Sequence, residues 1–324
     1  MLMKAAVYAH YGPPEVLTLC ELPRPEPRDD EVRIAVRATT ATAGCGIMRR
    51  GDTVMARVLL GLFRPRRRFQ ILGTELCGTV DRVGRRVTCF RTGDRVFGFT
   101  GFSVGAYGEY VCLREDASIA LAPDGVTDLE AASLVDGPST ALYFLRDRAR
   151  IGAGTRIAIV GASGGIGTAA VQLARHLGAR VTAICSGRNA ELVRSLGADE
   201  VVDYQKEDFT VGGPRYDVVF DAVGKSSYLG ARRCLAAGGM YLTTVGGAGA
   251  YVLDVWSRLF ARRRFVFGMS IEKREALREV AALVRAGALR PVIDRQYRLA
   301  EVAEAHRYVE TGRKRGNVVI SVTE

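Results

Sequence analysis

The segment from Arg156 to Gly178, RIAIVGASGGIGTAAVQLARHLG, gives the strongest indication of the fold. Its first residues predict a short buried strand, and its second half predicts a helix that ends at Gly178. The glycine-rich turn between them is typical of a loop that lets the backbone approach a pyrophosphate closely. The N-terminus of the following helix would offer free N–H groups and a positive dipole end to that anion. The strand before the turn and the helix after it favour this interpretation over a turn that binds nothing.

The alternation of strand and helix continues on both sides of this stretch. Strands rich in Val and Ile, such as RVTAIC (180–185) and YDVVFD (216–221), alternate with helices such as EKREALREVAALVRAG (272–287). We expect the segment 227–239, SYLGARRCLAAGG, to form one helix that stops at the glycine pair. The pattern predicts a doubly wound parallel sheet covered on both faces by helices.

The first 110 residues follow a different pattern. Short alternating runs such as EVRIAVRA (31–38), bounded by Gly, Pro or Asp, predict a β-rich, barrel-like domain. The tail is expected to form strand, helix and strand, with the final strand returning to the first domain. We therefore predict an α/β protein with one domain at 1–123, completed by 298–324, and a second domain at 124–297.

Composition limits the class of protein. The chain has 324 residues, 48% of them hydrophobic and 25% charged, which excludes disordered, collagen-like and disulfide-scaffold proteins. No apolar run approaches the roughly 18 residues of a membrane span, and the N-terminus lacks the apolar core of a signal peptide. The seven cysteines form no CxxC motif and predict reduced thiols in a cytoplasmic protein.

The net charge of +11 could attract nucleic acid, acidic membranes or phosphorylated small molecules. The basic residues are dispersed, however, and their short runs are not interleaved with aromatic residues that could stack on bases. We therefore expect a solvated basic surface, part of which serves an anionic cofactor, and no nucleic-acid partner. The runs are Arg66–Arg68, Arg262–Arg264 and Arg313–Arg315.

The end of the second predicted strand indicates which nicotinamide cofactor binds. NAD-binding proteins place an acidic residue there, about 20 residues after the glycines, to hold the ribose 2′-hydroxyl. Here the strand ends in Ser186, Gly187 and Arg188, a hydroxyl and a guanidinium that suit a 2′-phosphate. The sequence therefore predicts NADP(H). The alternative is that Arg188 merely begins a helix in solvent.

The order of these domains resembles the medium-chain dehydrogenase/reductase superfamily, and most closely its zinc-independent quinone oxidoreductase (zeta-crystallin-like) branch. Matching stretches extend over nearly the whole chain and include LGTELCG (72–78), FRTGDRVFG (90–98), LGADEVVDY (196–204) and FDAVG (220–224). The resemblance implies a GroES-like first domain and a Rossmann second domain. It also implies hydride transfer to a quinone or an α,β-unsaturated carbonyl, and a homodimer that pairs through RRRFVFGMS (262–270).

The resemblance also raises the question of zinc. In the zinc alcohol dehydrogenases of the superfamily, the catalytic metal is held by Cys, His and Cys, and these positions fall on Thr42, Thr74 and Asp136. Two hydroxyls and a carboxylate make a poor zinc site. Cys45 and Cys77 lie three residues away from the ligand positions. We therefore predict no metal, with a zinc alcohol dehydrogenase as the disfavoured alternative.

Without a metal, reduction of a quinone or an enone needs hydrogen-bond donors for the oxygen that gains negative charge. Thr42 and Thr140 are the donor candidates, at family positions that face the nicotinamide. Tyr107 is a third, although a hydrogen bond within the scaffold is favoured for it. Asp136 could donate a proton if burial raises its pKa, or it could cap the helix that Pro138 begins, and the cap is favoured.

Further cofactor contacts are predicted at the strand ends of the second domain and in the C-terminal tail. The glycine loop supplies Gly161, Ser163, Gly164, Gly165, Ile166 and Gly167, and the resemblance adds Tyr204, Val223, Gly224, Val245, Gly246, Phe267, Gly268, Arg315 and Asn317. An alternative from another functional class is an NADPH-binding regulatory or redox-sensing protein with little catalysis.

Overall fold

The structure, a computed structural model, describes residues 1–213 and 215–323, with Met55 and Phe102 described by their backbone alone. It divides into two compact units. The first consists of Met1–Asp136, Ile271–Arg285 and Pro291–Glu324, and the second of Gly137–Ser270 and Ala286–Arg290.

The elements follow one another in this order. The first part of the chain contains β1 (Leu2–Val7), β2 (Thr18–Pro23), β3 (Glu31–Ala41), α1 (Ala43–Arg50), α2 (Val54–Leu60), β4 (Glu75–Val83), β5 (Arg95–Phe99), β6 (Tyr110–Arg114), β7 (Ser118–Leu121), α3 (Asp128–Ser133) and α4 (Asp136–Leu142). It continues with β8 (Arg156–Val160), α5 (Gly165–His176), β9 (Arg180–Cys185), α6 (Ala190–Ser195), β10 (Glu200–Asp203), β11 (Tyr216–Asp221), α7 (Tyr228–Ala231), β12 (Leu235–Thr243), α8 (Ala248–Phe260), β13 (Arg264–Phe267), α9 (Arg274–Arg285), β14 (Ile293–Arg298), α10 (Val302–Glu310) and β15 (Asn317–Ser321).

The first unit is built on a seven-stranded sheet. Its strands lie in the order β14-β15-β3-β4-β5-β7, with β6 pairing with β3, and every pair except β14–β15 is antiparallel. β15 pairs with β3 from Val318 opposite Ala41 to Ser321 opposite Ala38, so the predicted return of the final strand is confirmed. Fully buried residues of β3 and β4, including Ile34 and Leu76, form the core.

The second unit is a six-stranded parallel sheet in the order β10-β9-β8-β11-β12-β13. Counted along the chain, this is the 3-2-1-4-5-6 order of the dinucleotide-binding fold, with its switch point between β8 and β11. The predicted α/β architecture and the predicted Rossmann domain are therefore both confirmed. Apolar side chains such as Ile157, Ile159 and Val219 are fully buried in the sheet, as its near-continuous hydrophobic strands predict.

The prediction of one helix over 227–239 is wrong. The helix α7 ends at Ala231, and the next strand already begins at Leu235, which is buried and pairs with Tyr216. Gly238 adopts a left-handed φ of +77°, which a helix cannot contain. Burial of Leu235 against the neighbouring strand therefore outweighs the local helical preference.

The compact units differ from the predicted domains in three segments, 124–136, 271–285 and 291–297, which fall in the first unit. The helix α3 packs on β3 and β4 of the first unit, and α9 packs on β7 of the same unit. At the start of α9, the backbone N–H of Lys273 donates to the Ser118 hydroxyl at 2.9 Å. Segments that the sequence places in the second domain therefore belong to the first. Among the described residues, no helix is both long enough and apolar enough to span a bilayer.

Candidate functional site

The glycine loop connects β8 to α5 at the switch point of the parallel sheet. Gly161 has a left-handed φ of +76°, and its N–H donates to the carbonyl of Ile184 at 3.0 Å. A Cβ on Gly164 would meet only the Gly161 carbonyl oxygen, at 3.4 Å, so this residue faces open space at the helix N-terminus. A Cβ on Gly167 would lie 2.1 Å from the same oxygen, so this glycine allows the helix to pack tightly against the loop. The open cradle in front of Gly164 suits a phosphate group.

The loops that follow β8, β11 and β12 and the last residue of β13 lie beside one another in a row. A Cβ on Gly161 would lie 2.6 Å from Val223, and one on Gly224 would lie 2.9 Å from Val245. A Cβ on Gly246 would lie 3.0 Å from the ring of Phe267. The structure thus brings six of the predicted cofactor residues together along the carboxyl edge of the sheet. This edge is where open α/β sheets bind their ligands.

Asp221, at the end of β11, organises the middle of this edge and was missed by the sequence analysis. Its buried carboxylate accepts the backbone N–H groups of Val223, Gly224 and Ser226 at 2.7–3.0 Å. It also accepts the hydroxyl of Tyr241 at 3.0 Å. These bonds fix the loop that carries Val223 and Gly224. An Asp that closes an apolar strand before a glycine is the available sequence signal.

The turn after β9 carries the residues predicted to select NADP(H). Ser186 lies within hydrogen-bonding distance of Gln205, 3.3 Å from its Oε1, and the backbone N–H of Tyr204 donates to the carbonyl of Cys185 at 3.3 Å. The segments of Ser186 and Tyr204 are therefore adjacent, and Tyr204 is 60% exposed. Arg188 is also exposed.

Two further side chains at this turn were not predicted. Asn189 is buried, and its Nδ2 donates to the Ser163 hydroxyl of the glycine loop at 2.8 Å. Its Oδ1 is buried without a hydrogen-bond partner among the described residues. Asp203, at the end of β10, lies beside the turn, 2.5 Å from where a Cβ on Gly187 would stand. A carboxylate on the neighbouring strand is therefore present, although the second strand itself ends without one.

The remaining predicted cofactor residues are held in other ways. Gly268 leaves room for Tyr143, whose hydroxyl would be 2.6 Å from an added Cβ. Arg315 and Asn317 belong to the first unit. There the backbone N–H of Arg315 donates to Asp294, and the amide of Asn317 donates to a backbone carbonyl.

Thr42 and Thr74 stand at two of the three positions where the zinc alcohol dehydrogenases have metal ligands. Both lie next to Cys45 in the first unit. The Thr42 hydroxyl caps α1 by accepting the N–H of Cys45 at 3.1 Å, and the Thr74 hydroxyl lies 3.9 Å from the Cys45 sulfur. The described residues contain no group of three His, Cys, Asp or Glu side chains that could hold a metal. Thr140 lies in the second unit and is buried within α4.

Tyr107 is a scaffold residue. Its buried hydroxyl donates to the carbonyl of Thr40 at 3.1 Å and lies 2.9 Å from Nε2 of His306. Burial and the charges of Arg49 and Arg50 lower the pKa of His306 to about 3, so its ring is neutral.

The third metal-ligand position, Asp136, belongs to a cluster of opposite charges in the first unit. The ammonium of Lys273, itself only 1% exposed, donates to Asp136 Oδ1 at 2.8 Å and lies 5.0 Å from the ring centre of Phe99. Burial, together with the charge of Asp136, raises the pKa of Glu75 to about 8, and a nearby hydroxyl, Lys273 and the N–H of Asp136 partly offset this. Glu75, Asp136 and Lys273 are called the charge cluster below. Neither Glu75 nor Lys273 was predicted from the sequence.

Comparison with known proteins gives the family. Residues 28–124 match the family described as alcohol dehydrogenase GroES-like domain, and residues 196–320 match the one described as zinc-binding dehydrogenase. The chain is 31% identical to a quinone oxidoreductase of Pseudomonas aeruginosa, covering 98% of this chain and 99% of that protein. It is 30% identical to a chloroplastic NADPH-dependent alkenal/one oxidoreductase of Arabidopsis thaliana, covering 98% of this chain and 79% of that protein.

A solved structure supports the same assignment over the whole length. The quinone oxidoreductase from Coxiella burnetii superposes with a TM-score of 0.90 at 31% identity, and the match covers 100% of both chains. Similarity of this extent, together with the order of the two units and the nucleotide-binding sheet, shows that the chain belongs to the quinone oxidoreductase-like enzymes of the medium-chain dehydrogenase/reductase superfamily.

Proposed function

We propose that the protein uses NADPH to reduce a quinone or an α,β-unsaturated carbonyl compound without a metal. The observation that carries this proposal is the glycine loop at the switch point of the sheet, with open space in front of Gly164 at the N-terminus of α5. When bound, the nicotinamide supplies the hydride. The protein's tasks are then to hold the cofactor, exclude water and stabilise negative charge on the substrate oxygen.

The residues of the second unit fit a dinucleotide. The N–H groups of the glycine loop would receive the pyrophosphate, since no side chain at Gly164 occupies that space. Val223 and Val245, at the edge between the loops, are 42% and 56% exposed although apolar. Such side chains offer a surface that a cofactor ring would cover. The buried Asn189 Oδ1, unpartnered among the described residues, is an acceptor in the same region.

The choice of NADPH rests on the turn after β9. The Arg188 guanidinium and the Ser186 hydroxyl would bind a 2′-phosphate with charge-assisted hydrogen bonds, and the neighbouring Tyr204 presents an exposed ring. Asp203 acts against this choice because a carboxylate repels a phosphate. In the structure Asp203 Oδ1 accepts the backbone N–H of Gln205 at 3.1 Å and Oδ2 lies beside Gly187, so the Arg188 guanidinium has to outweigh this negative charge when a 2′-phosphate binds.

The chemistry on the substrate requires one proton besides the hydride. Addition of hydride to the electron-poor carbon leaves an enolate or hydroquinone oxygen, which donors stabilise and which a proton then neutralises. We assign the donor role to the hydroxyls of Thr42 and Thr140. Asp136 suits proton donation less well because its Oδ1 already accepts a hydrogen bond from the Lys273 ammonium at 2.8 Å. We propose instead that Asp136, which stands where the resembling zinc enzymes have a metal ligand, serves to hold the Lys273 ammonium in place.

The proposal includes a homodimer and a reducing compartment. β13 is the last strand in the order of its sheet, and the helix α8 exposes apolar side chains beside it. These are Tyr251, Val252, Val255, Trp256, Leu259 and Phe260. A second copy that extends the sheet at β13 would cover them. All seven cysteines are free thiols, two of them exposed, which supports the cytoplasm as the compartment.

The test is the loss of NADPH absorbance in the presence of a panel of quinones and α,β-unsaturated ketones, with saturated ketones as controls. We expect turnover with at least one quinone or enone and none with the saturated compounds. Tight NADPH binding without turnover on the whole panel would instead support a regulatory or redox-sensing protein.

A further inference from the structure

The segment from Val54 to Arg68, which contains α2 and the loop after it, displays apolar side chains to solvent. Phe63 is 87% exposed and Val54 is 79% exposed. Val58, Leu59 and Leu62 are also exposed, at 57%, 42% and 56%. The reduction chemistry proposed above assigns no function to this surface, which we call the 54–68 segment.

The backbone that carries these exposed apolar side chains is anchored to the rest of the unit. Ala56 and Leu60, on the opposite face of α2, are buried in a small apolar cluster with Phe69 and Val104. The Tyr11 hydroxyl donates to the carbonyl of Gly61 at 2.5 Å. Because its inner face is anchored in this way, the segment holds its apolar side chains outward.

The same segment is strongly and uniformly basic. It contains Arg57, Arg64, Arg66, Arg67 and Arg68, and no Asp or Glu occurs from Thr53 to Thr74. None of these five arginines has a carboxylate within salt-bridge distance in the described part of the chain. Nearby, by contrast, Arg49 and Arg50 both pair with Glu310.

We propose that the 54–68 segment docks the protein on the surface of an anionic lipid membrane. Exposed apolar side chains beside uncompensated arginines are the combination that binds such an interface, through partial insertion and attraction to lipid headgroups. Residues 61–67 and Gln70 line a cavity of about 610 Å³, but it is open to solvent and leaves Phe63 87% exposed, so it would bury only part of a small ligand. A symmetric contact with a second copy would bring two sets of five arginines together.

The first experiment measures sedimentation of the full-length protein with vesicles. Vesicles of equal parts phosphatidylglycerol and phosphatidylcholine are compared with vesicles of phosphatidylcholine alone, at about 0.1 M and about 0.5 M salt, since screening is much stronger at the higher concentration. We expect binding only to the anionic vesicles and release at the higher salt concentration. Failure to sediment with anionic vesicles, or equal binding to both kinds of vesicle, would overturn the proposal.

The second experiment locates the surface. We expect the triple variant Arg66→Gln, Arg67→Gln, Arg68→Gln to bind anionic vesicles roughly 100-fold more weakly, from about 1 kcal/mol per arginine near such a surface. The variant Arg85→Gln, Arg86→Gln, Arg91→Gln loses the same charge from exposed positions elsewhere in the unit and should bind almost normally. Equal weakening by the two triple variants would show that net charge alone is responsible, and would refute the proposal.

A pair of apolar variants completes the test. Leu62→Ser with Phe63→Ser should weaken binding, whereas Leu121→Ser with Leu229→Ser, at 58% and 72% exposed positions, should not. Thermal melting of each variant shows that it is folded. Unchanged binding of the Leu62 and Phe63 variant would contradict insertion of the segment. None of these measurements depends on the substrate or on the cofactor.

Discussion

The side-chain amide of Asn189 donates to the hydroxyl of Ser163 across 2.8 Å, joining the turn after β9 to the glycine loop after β8. Ser163 and Arg188 are predicted to contact different parts of one dinucleotide. Asn189 directly follows Arg188, so this buried hydrogen bond couples the two binding elements through one residue. The turn that carries Arg188 is thus held by a hydrogen bond to the glycine loop, which would bind the pyrophosphate.

Replacement of Arg188 tests the choice of cofactor. We expect Arg188→Ala to weaken NADPH binding by about 1.5–3 kcal/mol, the value of a hydrogen bond to a charged group. NADH lacks the 2′-phosphate, so its affinity should barely change. Calorimetric titration of both cofactors gives the comparison, and equal losses for the two would mean that Arg188 acts only on the conformation of the turn.

Replacement of Glu75 tests the charge cluster through pH. The pKa of Glu75 is raised from 4.5 to about 8, mainly by burial, so the folded protein keeps a proton that the unfolded chain releases. The free energy of unfolding therefore falls as the pH rises from about 4.5 to about 8 and levels off above that range. Glu75→Gln removes this loss, at about 1.4 kcal/mol per unit of pKa difference.

Urea unfolding of both proteins at about pH 5 and about pH 8 measures the effect. The advantage of Glu75→Gln over the unsubstituted protein should be larger at the higher pH. The same difference at both pH values would contradict a neutral, buried Glu75.

Lys273 provides a second test of the same cluster. Lys273→Met removes the ammonium that donates to Asp136 and should lower the free energy of unfolding by about 2 kcal/mol, below the 3–5 kcal/mol of a fully buried pair because Asp136 is partly exposed. The double variant Lys273→Met with Asp136→Leu should recover part of that loss. Additive losses in the double variant would mean that the two side chains act independently.

Metal removal tests the chemistry proposed for the first unit. Thr42, Thr74 and Asp136 make a poor zinc site, so EDTA or phenanthroline should leave turnover unchanged. A zinc alcohol dehydrogenase treated in parallel serves as the positive control. Loss of activity that added Zn²⁺ restores would refute metal-free catalysis.

Local signals made the nucleotide-binding sheet predictable from the sequence. The strand, glycine turn and helix around Gly161 are adjacent in the chain, and their hydrophobic periods differ clearly. The boundary between α7 and β12 was missed because the burial of Leu235 depends on its partner Tyr216, which is not a neighbour in sequence.

The charge cluster could not be predicted from the sequence either, because its members are also far apart in the chain. Lys273 stands in no motif, and only the fold brings the start of α9 to Asp136. Asp221 and Asn189 do carry a signal, since Asp221 is the polar residue that ends β11 and Asn189 is the polar residue that directly precedes α6. Their bonds to Tyr241 and Ser163 depend on tertiary structure.

The most direct measurement is NADPH titration of Gly164→Val beside Gly167→Val, with thermal melting of both. Gly164 has a φ of −84° and open space around it, so valine should leave the protein folded while filling the phosphate cradle and abolishing NADPH binding. At Gly167 the added atoms meet the backbone of Gly161 and Ala162, so stability should fall by roughly 1–3 kcal/mol. Normal NADPH binding by a folded Gly164→Val variant would contradict the account, because the cofactor would then not lie on this loop.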